Sequence, residues 1–315
     1  MKRVLPVAGL CLLGVFLFYM DGSAEGPGPN PIVITAEVEA IPPVVVDAMA
    51  PDGAWVLTSD SNDFGGLSGL LVTQGEVIAV TDKGRMLRAD WSIEAGALRF
   101  RSATLTQLEE AGRGHLSGEA ADAESLAVTG EDLLISFERD HRILRQTAAG
   151  DLVPWAVPDG IEDLGSNSGI EALAGLGAGR VLAIAEDVID GAAPLWLFRD
   201  GKIETRGALP LASHHRVTAA ALGPSGALYL TRRSFSVVDG VSIRIERYAL
   251  KNGLPDPATR RELAAFESES GIDNIEGLAL VEETPGVTAL WAIADDNFNP
   301  LQRTVLLRFV LKGRR

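Results

Sequence analysis

The 315-residue chain has a single cysteine, Cys11, which lies in an N-terminal apolar run. The body of the chain therefore holds no disulfide, no cysteine-ligated zinc and no cysteine nucleophile. Basic residues are also in deficit: 28 Lys and Arg stand against 43 Asp and Glu, a formal charge of −15. A duplex nucleic-acid binder neutralises phosphates with clustered Lys and Arg, so no nucleic-acid partner is expected. Several catalytic signatures are missing. Neither GGLSGL (65–70) nor GSNSG (165–169) has the spacing of a G-x-S-x-G nucleophile elbow, and no H-E-x-x-H or P-loop is present. GLGAGR (175–180) looks like a dinucleotide loop only in outline, because it joins two strand-like runs and opens no helix. What remains, at 46% hydrophobic and 23% charged, is a foldable globular chain rather than a disordered or polytopic membrane one.

The N-terminus has the layout of an export signal. Lys2 and Arg3 precede the apolar run 4–20, and Gly22, Ser23 and Ala24 offer small residues for cleavage before Glu25. An uncleaved anchor is the alternative, since a 17-residue run is at the lower limit of a membrane span. Either reading places the rest of the chain outside the cytoplasm, periplasmic or secreted, with membrane contact only through this segment. The polar stretch EGPGPNP (25–31) reads as a linker. The expected organisation is signal or anchor over 1–24, linker and first strand over 25–50, and one domain over 51–315, acting as a monomer.

That domain is a repeat. SGLLV (68–72), ESLAV (124–128), EALAG (171–175), TAAAL (218–222) and EGLAL (276–280) align at spacings of 56, 47, 47 and 58 residues. A four-stranded propeller blade occupies about 40–50 residues. Each segment is followed by a turn and a second apolar run that ends in charge: VIAVTDKGR (77–85), LLISFERDHR (133–142), VLAIAED (181–187), LYLTRR (228–233) and LWAIADDN (290–297). Short apolar runs bounded by Gly, Asp and Asn are strands, so the fold class is all-β. IVITAEV (32–38) and WVLTS (55–59) are expected to pair with the C-terminal strands and complete a sixth blade, which removes the open sheet edge. The expectation is a six-bladed β-propeller with short helical insertions at TLTQLEEAG (104–112) and PATRRELAAFE (257–267), whose charged faces suit a surface.

Innermost strands line a propeller's channel, so one repeat position becomes a ring around the axis. Glu124, Glu171 and Glu276 share that position, with Ser68 and Thr218 in the other repeats. Carboxylates crowded at an axis take up protons or bind a cation, and in an exported protein a hard, oxygen-ligated Ca²⁺ fits them. Glu124, Glu171, Glu276 and Asp295 are the expected metal ligands, while carboxylates capping the strand entries are the alternative. A second acidic set, Asp82, Glu138, Glu186, Asp295 and Asp296, ends the second strands and either serves the site or pairs with Arg85, Arg139 and Arg142 between blades. The fourth repeat breaks the pattern with Arg232 and Arg233, suited to an anionic substrate or to pairing with the ring. His214 and His215 just before it are acid–base candidates.

GGLSGL (65–70), TDKGR (81–85), DAESLAV (122–128), SFERDHRI (136–143), NSGIEALA (167–174), DNIEGLAL (273–280) and ADDNFNPLQRTVLLRF (294–309) together resemble the phytase-like propeller family described as "esterase-like activity of phytase". The resemblance spans about residues 50–310 and places family positions on Glu124, Glu171, Glu276, Asp295, Asp296, Asn297 and Asn299. It implies a bacterial exported propeller with ester or phosphoester hydrolase activity. With the acidic ring and its basic interruption read as a hydrolytic site, Glu171, Glu276, Arg232 and Arg233 are catalytic, Ca²⁺ is the cofactor, and the substrate is a small anionic ester or phosphoester. A lactonase with one divalent ion at the channel mouth is a neighbouring version. The reading from a different class is a non-enzymatic binding or scaffold propeller with a structural acidic ring.

Overall fold

The computed structural model describes residues 29–165, 168–211 and 214–312. The export segment read over 1–24 lies outside them. The second strands, Glu76–Thr81, Asp132–Phe137, Arg180–Ala185, Leu228–Ser236 and Val287–Ala294, are buried along most of their length. Each is sandwiched between neighbouring sheets, which is why these runs read as continuously apolar rather than alternating. Their inner partners are Leu67–Val72, Ala123–Thr129, Ile170–Gly177, His215–Leu222 and Ile275–Thr284. Third and fourth strands follow outward, and the described residues form five antiparallel blades in an all-β propeller.

The blade count corrects the expectation of six. The fifth repeat supplies only three strands, ending in Val305–Leu311, and Met49–Ser59 pairs with that strand as the fourth of the same blade. Ile34–Val38 then pairs outside Met49–Ser59. The N-terminal strands do close the ring against the C-terminus, but they fill the open edge of blade five, so no sixth sheet is formed. The described residues before Met49 add further short strands. Asn30–Pro31 pairs with the outer strand of blade one and Val45–Val46 with that of blade four. This segment straps blades one, five and four together across the closure. Three tryptophans fill the seam between blades five and one: Trp55 stacks on Trp291 at 5.9 Å, and Trp91 meets Trp291 edge-on at 4.9 Å.

The expected helical insertions are strands. Residues 104–107 finish the outer strand Ala97–Gln107 of blade one, and 261–267 form the outer strand Arg261–Glu267 of blade four. In that strand Leu263, Ala264 and Phe266 are buried while Arg261, Glu262 and Glu267 face water, a spacing that also fits a helical face. Pairing with Gly240–Tyr248 decides in favour of the strand. Helical structure among the described residues is confined to 3₁₀ turns such as Gly118–Ala121 and Pro257–Thr259, and no helix there is long and apolar enough to cross a membrane.

Five blades bring the inner strands very close, which explains their small residues. A Cβ on Gly175 would lie 1.8 Å from the backbone oxygen of Val128 on the next blade. Gly175→Ala is therefore expected to cost about 1–3 kcal/mol through overpacking. Gly75→Ala, where a Cβ meets nothing within 4 Å, should stay within about 0.5 kcal/mol. Urea denaturation of the two variants checks this, and equal midpoints would refute the close-approach argument.

Candidate metal centre at the channel mouth

Every inner strand carries a β-bulge at the repeat position or, in blade one, one residue after it. The register skips Glu124, Glu171, Thr218 and Glu276 in blades two to five, and Gly69 in blade one. A bulge turns one extra side chain out of the ladder, here toward the axis. Glu171 is buried, and Glu124 and Glu276 are half-buried. Ser68, the aligned residue of blade one, still reaches the ring: its hydroxyl donates to Glu276 Oε2 at 3.1 Å.

A second ring lies at the ends of the second strands. The ladders place Asp82, Glu138, Glu186 and Asp295 directly after strands whose last residues face the start of the inner strands, and their amides donate to Gly66, Asp122, Gly169 and Asn274. In blade four the ladder continues and Arg233 takes this place, opposite Arg216. Two groups of carboxylates converge here, each with oxygens within 4.8 Å of one another: Asp122, Glu124 and Glu138, and Glu138, Glu171 and Glu186. Glu138 belongs to both. Sequence reasoning missed Asp122; the signal was its place in DAESLAV, two residues before the ring glutamate.

Burial is the first cause of every shifted carboxyl here. It pushes Glu124 and Glu171 well above the usual range, helped for Glu124 by Glu171 and Glu276 and for Glu171 by Glu186 and Glu276. Glu138 is raised to about 7 by burial, Asp122 and Glu186. Asp82 is raised to about 7 by burial, Asp295 and Asp122, and its Oδ1 is buried without a hydrogen-bond partner. Glu276 is raised to about 8 by burial and Asp295, against hydrogen bonds from Asn274 and Ser68. A donor set made only of buried and half-buried carboxylate oxygens, each group within 4.8 Å, fits a hard divalent cation.

The residues expected from sequence divide. Glu124 and Glu171 sit in the converging groups, and Glu276 faces the same axis outside both. Asp295 also belongs to neither: its Oδ1 accepts from Leu67 N at 2.7 Å and its Oδ2 from Asn297 N at 2.9 Å, stitching blade five to blade one. Asp296 does the same through Gly66 N and Phe298 N, both at 3.0 Å. Arg232 is not at the mouth. Neighbouring strand residues face opposite sides, so Arg232 points into blade four, 3% exposed, and pairs with the fully buried Glu246, which also accepts from Tyr248 Oη and Arg260 Nε at 2.6 Å. Arg233 does face the mouth, where its charge acts on Glu186 and Glu276 while Nε donates to Asp273 O at 2.8 Å. The basic residues pair within their own blades or with nearby loops: Arg139 with Asp122 and Glu138, Arg142 with Glu110, and Arg85 with Asp63. His215 begins the inner strand of blade four, opposite Ser234.

Two expectations follow. Between the ordinary carboxyl range near 4.5 and about 8, the cation-free fold holds protons that the unfolded chain has released. Its stability must therefore fall as pH rises through that window. A bound cation replaces those protons, so the Ca²⁺-induced rise in Tm should be larger at pH 8 than at pH 5; thermal scans with and without Ca²⁺ check this, and an equal rise at both pH values would count against the site. Arg232→Met should cost about 3–5 kcal/mol by breaking a buried pair and leave Ca²⁺ affinity unchanged, measured by denaturation and calorimetry.

Comparison with known proteins places the chain. Similar folds include a gluconolactonase from Xanthomonas campestris, 12% identical, covering 90% of this chain and 98% of that one at a TM-score of 0.45. A putative glucose dehydrogenase-type oxidoreductase from Thermus thermophilus is 14% identical, with 87% and 100% covered and a TM-score of 0.39. An α-L-arabinofuranosidase from Podospora anserina is 11% identical, with 84% and 97% covered and a TM-score of 0.45. Likeness at this level says nothing about activity. No curated protein matches. The phytase-like family, "esterase-like activity of phytase", matches residues 62–298, and the chain belongs to it.

Proposed function

We propose that this chain is an exported, monomeric hydrolase of ester bonds, phosphoric or carboxylic, working at the acidic mouth of the channel with a divalent cation, Ca²⁺ by its donor set. The observation that carries the reading is the pair of carboxylate groups sharing Glu138. Asp122, Glu124 and Glu138, with Glu171 and Glu186, would hold the ion. When bound, such an ion polarises an ester or phosphoryl oxygen and lowers the pKa of water. The chain's own residues supply the rest. Glu276, with a pKa of about 8, keeps its proton at neutral pH and is suited to protonate the leaving oxygen as a general acid. Ser68 and Asn274 hydrogen-bond its carboxyl and fix its orientation. Arg233, held by the Asp273 carbonyl, keeps a positive charge between Glu186 and Glu276.

One observation favours the scaffold reading. Asp295 and Asp296 spend their oxygens on backbone N–H groups and on Thr304, as purely structural carboxylates do. Turnover separates the two readings. Phytate, p-nitrophenyl phosphate, p-nitrophenyl acetate and a simple lactone are offered with Ca²⁺ and with chelator. Glu276→Gln is expected to lower kcat by roughly 10²–10⁴-fold with Tm and Ca²⁺ affinity retained, whereas Glu138→Gln should lose Ca²⁺ binding. No turnover of any of these substrates favours the scaffold, and turnover indifferent to chelator and to Glu276→Gln overturns the roles given to the cation and to Glu276.

A further inference from the structure

We propose that an anionic group of the substrate docks beside the carboxylates in a cleft between blades one and two, on Lys83, Arg85 and Arg139. The preferred substrate is then an ester bearing a separate negative charge next to the bond that is cleaved. This rests on the ester-hydrolase reading and names the substrate class of that same site.

The position directly after each member of the second ring shows how the mouth is polarised. It is Lys83 in blade one and Arg139 in blade two, against Asp187, Ser234 and Asp296 in blades three, four and five. Cations thus follow the ring only on the side of blades one and two, where Arg85 adds a third. Between those blades a cleft of about 440 Å³ opens, lined by Asp82, Lys83, Arg85, Gln107, Asp122 and Arg139 among others. Lys83, Arg85 and Arg139 gather here in a chain of charge −15, with Asp82 and Asp122 in the same lining and Asp63 and Glu138 pairing with the two arginines from outside it. Asp122 is at once a wall of the cleft and a member of the Asp122, Glu124 and Glu138 group. An anion seated on the three cations therefore has its ester linkage beside the carboxylates that would hold the ion.

The cations are positioned in advance. Arg85 is tied to Asp63 at 3.0 Å, Arg139 Nε to Asp122 at 2.8 Å, and Lys83 Nζ stands 2.9 Å from the centre of the Phe298 ring. Arg139 adopts φ 58°, and Phe298 φ 49°. Both belong to tight turns, where most of the ten non-glycine residues with this left-handed conformation among the described residues lie. Of the two arginines that the sequence offers for an anionic substrate, Arg232 is committed to Glu246 inside blade four, and Arg233 faces the mouth from blade four with its Nε on the Asp273 carbonyl.

Inorganic phosphate titrated calorimetrically into the Ca²⁺-loaded chain tests the seat without turnover. Wild type should bind it more weakly as salt is raised, and Lys83→Met with Arg85→Met should weaken binding by about tenfold or more, equal to about 1.4 kcal/mol. Lys83→Met alone, at an exposed position, should show part of the loss if the double variant does not fold. No phosphate binding by wild type, or binding within about twofold in the folded variants, overturns the proposal. A second arm compares p-nitrophenyl acetate with mono-p-nitrophenyl succinate, whose acyl group carries an added carboxymethyl. The variants should lose activity on the succinate ester and keep it on the acetate. An equal loss on both overturns the seat while the hydrolase stands. Cleavage of neither ester, with phosphate binding still dependent on Lys83 and Arg85, supports the seat and counts against the hydrolase reading.

Discussion

The close approach of five inner strands around one axis is the constraint on which the rest depends. It demands glycine and alanine where strands meet, as at Gly175 against Val128. It also turns the side chains released by four of the bulges, Glu124, Glu171, Thr218 and Glu276, toward one axis. Glutamates that would ionise normally on a surface are there stripped of water and set against one another, which raises their pKa values and creates the need for protons or a cation. The packing of the ring and the chemistry at its mouth thus have one cause.

The two ends of the channel differ in character. At the far end Leu71, Leu126, Leu173, Leu222 and Leu280 border a space of about 160 Å³ whose lining has no titratable side chain. Polar chemistry is confined to the mouth, where the bulges and the ends of the second strands meet. The ring is closed there by backbone as well as side chains, since Asp295 and Asp296 bind amides of blade one. The strap from residue 30 to 46 and the tryptophan seam hold the same closure from outside. A site assembled from several blades keeps its geometry only while that seam stays shut, and the chain places its strongest aromatic packing on it.

Much of the site was legible in the repeat. The aligned glutamates 124, 171 and 276 do face one axis, and the second acidic position does form a ring, because a fixed place in each blade maps to a fixed place around the channel. Reading failed where neighbouring residues had to be told apart. Arg232 and Arg233 carry the same charge and adjacent numbers, yet strand alternation sends one into the blade and the other to the mouth. Asp295 looks like a ligand by position and is occupied by backbone amides that only the fold brings near. The outer strand 261–267 looks helical because its buried residues also match a helical spacing.

By itself the sequence determined the all-β class, the repeat, the acidic axis and closure by the N-terminal strands, since each is written in local pattern or in periodicity. Only the tertiary structure decided that there are five blades, that Asp122 joins Glu124 and Glu138, and that the cations of blades one and two border a cleft. Those facts depend on which sheet edge a strand fills and on which side chains from distant segments meet. Pairing and side-chain direction are long-range choices, fixed by burial of the whole ring rather than by any window of residues.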